Sequence, residues 1–210
     1  MTKIKICGLT TDEAMDAAQY ADFIGFVFYP PSKRAITPEA AGQLIKQSPV
    51  TAKKVGLFVN PTDDDLKNTL AHAPLDMIQL HGDETPARAA TIRTLTGLPV
   101  LKAFNIATAD DIAQARAYED VADWLIFDAK IDGERGGTGH SFDWDLLRHF
   151  KSKIPWMLSG GLTIENVMDA LSRLTPDAVD ISSGVEDGPG KKNPAKITRF
   201  IQAVQIADRL

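Results

Sequence analysis

Side chains able to move protons cluster on four apolar runs of this sequence. KIKIC (3–7) carries Lys5 and Cys7, MIQLH (77–81) carries Gln79 and His81, WLIFDA (124–129) carries Asp128, and AVDISS (178–183) carries Asp180 and Ser182. Successive side chains of a strand point to opposite faces. Ile4 and Ile6, Ile78 and Leu80, Leu125 and Phe127, and Val179 and Ile181 therefore share the face opposite the polar residues. Putting a lysine, a cysteine, a histidine and two aspartates on buried faces is costly, so the pattern implies a site rather than a scaffold. Such a set suits general acid–base chemistry, in which one group gives a proton and another takes one.

A second pair of motifs suits an anion. SGG (159–161) and SSG (182–184) each close an apolar run. Glycines let backbone N–H groups approach a phosphate, and a following helix adds partial positive charge. Gly160, Gly161, Ser183 and Gly184 are the candidate phosphate ligands.

The elements that must position these groups alternate regularly. Strand runs are read at 3–7, 23–28, 54–59, 77–81, 100–104, 124–129, 156–160 and 178–183. Helical runs follow at 11–21, 38–47, 62–73, 84–95, 108–118, 143–150, 163–173 and 194–207. Thr10, Thr37, Thr85 and Thr163 stand where caps belong, and Pro38 and Pro86 suit the first turn. Eight consecutive βα units with no linker predict a parallel sheet covered by helices, closed into one (β/α)₈ TIM barrel over residues 1–210. In that fold the carboxyl ends of the strands form the active mouth, and the loops after strands 7 and 8 cradle phosphate. The connections 29–36 and 130–142 are long for βα loops and are expected to cover the mouth as lids.

Composition excludes other classes. The 210 residues carry a net charge of −5 with no basic block, which argues against nucleic-acid binding. No apolar run approaches the roughly 20 residues that span a bilayer. The first residues (MTKIKICGLT) are too polar for a signal peptide, and the one cysteine allows no internal disulfide, so a cytoplasmic location is expected.

KICGLT (5–10), GFVFYPPSKR (25–34), VGLFVN (55–60), IQLHG (78–82), GGTGHSFDW (136–144), LSGGL (158–162) and VDISSGVE (179–186) together resemble the phosphoribosylanthranilate isomerase family over nearly the whole chain. The resemblance implies an Amadori rearrangement in tryptophan biosynthesis, with no metal and no organic cofactor. The expected partner is a small phosphorylated sugar–anthranilate substrate, and a monomer or homodimer is expected. It implies Cys7 as general base and Asp128 as general acid. Within its motif Arg34 would be a bidentate clamp on the anthranilate carboxylate, while inward parity directs Lys5, Gln79, His81 and Asp180 toward the substrate. Burial should raise Asp128, and Lys5 should lower Cys7.

Plainer roles stand beside these. Arg34 could be a surface arginine, Lys5 could fill a salt bridge inside the barrel, and Lys130 could pair with Asp128. Asp180 could orient a donor instead of touching substrate. Asp63, Asp64 and Asp65 are read as complementing a helix N-terminus, Gly136–Gly139 as a flexible lid, and Lys191 and Lys192 as a solvated turn. Two rivals remain. Indole-glycerol-phosphate synthase would need an N-terminal extension, and a non-catalytic phosphometabolite-binding barrel would not need both Cys7 and Asp128.

Overall fold

A computed structural model describes residues 1–48, 50–129 and 144–210. Among them eight parallel strands close into a barrel in sequence order. The strands are β1 (Lys3–Cys7), β2 (Phe23–Val27), β3 (Lys53–Phe58), β4 (Met77–Leu80), β5 (Val100–Ile106), β6 (Trp124–Ala129), β7 (Trp156–Leu158) and β8 (Ala178–Ile181). The helices are α1 (Asp12–Ala17), α2 (Pro38–Gln47), α3 (Asp63–His72), α4 (Pro86–Thr96), α5 (Ala109–Ala115), α6 (Val167–Arg173) and α7 (Pro194–Ala207). Among the described residues no helix is long and apolar enough to cross a membrane. The expected lid at 130–142, with Lys130 and Gly136–Gly139, lies outside the described residues.

The alternation seen in the sequence splits the core in two. Outward residues such as Ile4, Ile6, Ile78, Leu80, Leu125, Phe127, Val179 and Ile181 join the layer between strands and helices. Inward residues Phe23, Val55, Met77, Leu101, Ala103, Ile126, Met157 and Ala178 form a separate cluster that plugs the barrel. Each is buried, so the barrel is a packed interior below its mouth and not a pore.

A repeated aspartate fixes the opposite, N-terminal end. Asp22, Asp76, Asp123 and Asp177 each precede an even-numbered strand. Their carboxylates accept the backbone N–H of Ile4, Lys54, Val100 and Trp156 at 2.7–3.0 Å. Their own N–H groups donate to the carbonyls of those same four residues. Each aspartate thus grips one residue of the preceding strand on both its polar groups, and the grip recurs in every second βα unit.

Caps account for most helix starts. Thr37 and Thr85 accept from the N–H groups of Ala40 and Arg88, with Pro38 and Pro86 behind them. Thr62 and Asp65 form a capping box, and Asp63, Asp64 and Asp65 occupy the first turn of α3, as read from the sequence.

Four local expectations are corrected. Thr11, not Thr10, caps α1. Helix α6 begins at Val167, because Thr163 and Asn166 bond each other's backbone in a turn first. The run 143–150 gives a single 3₁₀ turn, Trp144–Leu147. The two buried side chains of that turn are three apart, a spacing that eclipses in a 3₁₀ helix. Lys191 and Lys192 are not a solvated turn: they form strand β10 (Lys191–Lys192), paired antiparallel with β9 (Glu186–Gly188).

Candidate active site

The carboxyl ends of the strands open into a cavity of about 940 Å³. Cys7, Gln79, His81, Asp128 and Asp180 all reach its wall, together with Arg34, Ser159, Gly160, Gly161, Ser182, Ser183 and Glu186. The ring order sets their relative places. Between β1, which carries Cys7, and β6, which carries Asp128, the shorter way round passes only β7 and β8. The SGG and SSG loops close those two strands, so the candidate base and acid flank the candidate phosphate loops.

Cys7 pairs in register with Gly25 of β2. A Cβ at Gly25 would stand 2.9 Å from the Cys7 sulfur, so the glycine makes room for the thiol. Burial pushes the Cys7 thiol above its ordinary value and Asp180 adds to this, outweighing the attraction of Lys5 and Lys192. Lys5 lowers the thiol as expected, but the net downward shift expected for Cys7 is corrected to an upward one. Lys5 is 0% exposed and lies beneath the wall, not in it. Its Nζ donates to Asp180 Oδ1 at 2.9 Å. Burial works against its charge, but Asp180 and Cys7 together raise its pKa, so it stays an ammonium. Asp180 also accepts from Ser159 Oγ at 3.2 Å, which makes it the link between β1, β7 and β8.

His81 and Asp128 face each other, with His81 Nε2 3.6 Å from Asp128 Oδ2. Burial, aided by Lys102, lowers the His81 pKa from 6.5 to about 4. At neutral pH it is therefore an uncharged imidazole, able to hydrogen-bond but not to act as a cationic acid. Gln79 is buried beside it at the cavity wall.

At the phosphate loops Gly160 and Gly161 have φ of 80° and 67°. Residues other than glycine rarely adopt such φ values, and both glycines line the cavity, where the lack of a side chain lets an anion approach the backbone. Ser183 lines the cavity. Gly184 does not: it packs on the Leu162 carbonyl, where a Cβ would collide.

Arg34 reaches the cavity from the loop after β2, and its position differs from the expected clamp. Its Nε and Nη2 are already held by Glu186, at 2.7 Å to Oε1 and 2.9 Å to Oε2. Parity reasoning missed Glu186, which lines the cavity, and Lys192, which is bonded to it, because both sit on a hairpin outside the barrel. The signal was available in EDGPGKK (186–192), where glycines and a proline separate short polar segments.

Comparison with known proteins is consistent along the whole chain. A family model described as N-(5'phosphoribosyl)anthranilate (PRA) isomerase matches residues 4–203. A protein of Paracoccus denitrificans named N-(5'-phosphoribosyl)anthranilate isomerase is 49% identical over 203 residues, 94% of each chain. One of the same name from Paramagnetospirillum magneticum is 47% identical over 208 residues, 97% of each. The fold is similar to the crystal structure of phosphoribosyl anthranilate isomerase from Thermotoga maritima, with 36% identity, a TM-score of 0.86 and full coverage of both chains. It is also similar to a crystal structure of that enzyme in complex with reduced 1-(o-carboxyphenylamino)-1-deoxyribulose 5-phosphate, at 34% identity, a TM-score of 0.81 and full coverage.

Proposed function

We propose, from the premise that this chain belongs to the N-(5'-phosphoribosyl)anthranilate isomerase family, that Cys7 is its general base and Asp128 its general acid. The chain is an isomerase of tryptophan biosynthesis. It converts N-(5-phosphoribosyl)anthranilate to 1-(2-carboxyphenylamino)-1-deoxyribulose 5-phosphate by an Amadori rearrangement.

The reaction needs two proton movements. An acid protonates the furanose ring oxygen, and the ring opens to an imine. A base removes the C2′ proton, and the resulting enolamine becomes the ketone. The observation that carries the assignment is that Cys7 and Asp128 reach one cavity from β1 and β6, on either side of the SGG and SSG loops. A phosphate bound at Gly160, Gly161 and Ser183 would put the ribose between them. His81, neutral at working pH, is suited to hydrogen-bond the Asp128 carboxyl rather than to replace it as acid. Gln79 and Asp180 complete the wall, and Arg34 offers a fixed cation to the anthranilate carboxylate, aimed by Glu186. General acid–base groups of this kind each contribute about two to four orders of magnitude in rate.

We take residues 1–210 as one catalytic domain working in the cytoplasm on a small molecule, as monomer or homodimer. Its net charge of −5 and single cysteine support that reading, and nucleic acid and membrane play no part in it. The test is a fluorescence assay on purified protein. Substrate formed in situ from anthranilate should lose its fluorescence when the protein is added, and unchanged fluorescence would overturn the assignment.

A further inference from the structure

Glu186 is the node of a hydrogen-bond chain that joins the two ends of the substrate site. Its side chain is 3% exposed. Oε1 receives Arg34 Nε at 2.7 Å and Lys192 Nζ at 2.6 Å, and Oε2 receives Arg34 Nη2 at 2.9 Å and Gly190 N at 3.1 Å. Lys192 Nζ, on a side chain 1% exposed, also donates to the Ser182 carbonyl at 2.9 Å and to Ser182 Oγ at 3.2 Å. An ammonium has three donors, and these three contacts match them. Ser182 Oγ in turn donates to the carbonyl of Cys7 at 3.1 Å. The β9–β10 hairpin is fastened on its other side too: Gly190 lies so close to the Lys33 carbonyl that a Cβ would collide with it. Thus the hairpin spans the loops after β8 and β2, on either side of β1, and Lys192 is its buried anchor.

We propose that Lys192 is a positioning residue of the isomerase site, tying the arginine that meets the substrate carboxylate to the strand end that carries the cysteine base. This rests on the roles proposed for Cys7 and Arg34. A buried lysine is expensive, and an apolar side chain of similar volume would hold a hairpin at lower cost. Burial pulls the Lys192 pKa down, while the Glu186 carboxylate supports its charge. Glu186 itself, pushed up by burial, is brought below its ordinary value by Arg34 and Lys192. The retained charge has a second use. The charged groups acting on the thiol are Lys5 of its own strand, Asp180 of β8 and Lys192 of the hairpin. Arg34 packs on Gly8, next to Cys7, and His81 and Asp128 line the same cavity. Lys5, the stronger cation on the thiol, is bonded to Asp180, whose negative charge opposes thiolate formation, so Lys192 is a second cation whose removal the thiol should also feel.

The single cysteine makes the test direct, since iodoacetamide reports Cys7 alone. In Lys192→Met the pH midpoint of alkylation should move up by about one pH unit, because loss of a nearby cation disfavours the thiolate. Lys192→Arg should leave it near wild type. In the same Lys192→Met protein KM should rise about tenfold as Arg34 loses its fixed aim. If Lys192→Met does not fold, Lys192→Gln, which keeps donors but no charge, should show the same upward shift. An unchanged midpoint and KM, with only a lower melting temperature, would make Lys192 a structural anchor and overturn the proposal. Alkylation reads the charge of Cys7 without turnover. A shifted midpoint in a protein whose Cys7→Ser variant stays active would therefore fault the base assignment and leave the electrostatic link standing.

Discussion

At the N-terminal end of the barrel, Asp22, Asp76, Asp123 and Asp177 spend their carboxylates on backbone N–H groups of a neighbouring strand. At the C-terminal end, Asp128 and Asp180 lie on a cavity wall beside His81, Ser159 and Cys7. Strands β6 and β8 have one aspartate of each kind, one before the strand and one at its carboxyl end, and between the two ends of the barrel lies the apolar plug of Phe23, Val55, Met77, Leu101, Ile126 and Met157. The difference is in what each carboxylate answers to. One end pairs aspartates with groups that never change, which holds the register of strand pairs. The other pairs ionisable groups with one another, so that each sets the charge of the next: Asp180 keeps Lys5 charged, Lys5 and Lys192 favour the thiolate, and burial with Lys102 keeps His81 neutral. Stability and chemistry are thereby separated along the barrel axis, as expected of this fold.

That separation can be broken from either end. The largest effect is expected at the mouth. Cys7→Ser should fold with a melting temperature near wild type yet lose about four orders of magnitude in kcat, because a hydroxyl is a far weaker base than a thiolate. Steady-state turnover and thermal melting on one preparation check this, and activity near wild type would remove Cys7 from the mechanism. A smaller and opposite effect is expected at the far end. Asp177→Ala removes both the acceptor for Trp156 N–H and its negative charge. Urea unfolding should show a loss of about 1.5–3 kcal/mol, the usual worth of a hydrogen bond to a charged group. Its kcat should be unchanged. A fall in kcat without loss of stability would show that the two ends are coupled.

The barrel was legible because its signals are periodic. Alternation in KIKIC, MIQLH, WLIFDA and AVDISS assigned faces correctly, and Thr37 and Thr85 with their prolines marked helix starts. The convergence of Cys7, Gln79, His81, Asp128 and Asp180 followed from that same parity. What stayed hidden depends on contacts between segments far apart in the chain. Lys5 reads as an inward polar residue, but only the pairing of β1 with β8 places Asp180 over it and takes it out of the cavity wall. Arg34 and Glu186 are 152 residues apart, so the glutamate that occupies the arginine fork could not be inferred from either motif. The aspartate grips were equally invisible, since an aspartate before a strand looks like a turn residue until its partner strand is known.

The central claim, that the mouth separates an acid from a base across the phosphate loops, is tested most directly by kcat for Asp128→Asn. The amide is nearly isosteric and cannot protonate the ring oxygen. Ring opening should become limiting, with kcat down by about two to four orders of magnitude and KM close to wild type. A variant that turns over within a few-fold of wild type would show that Asp128 is not the acid.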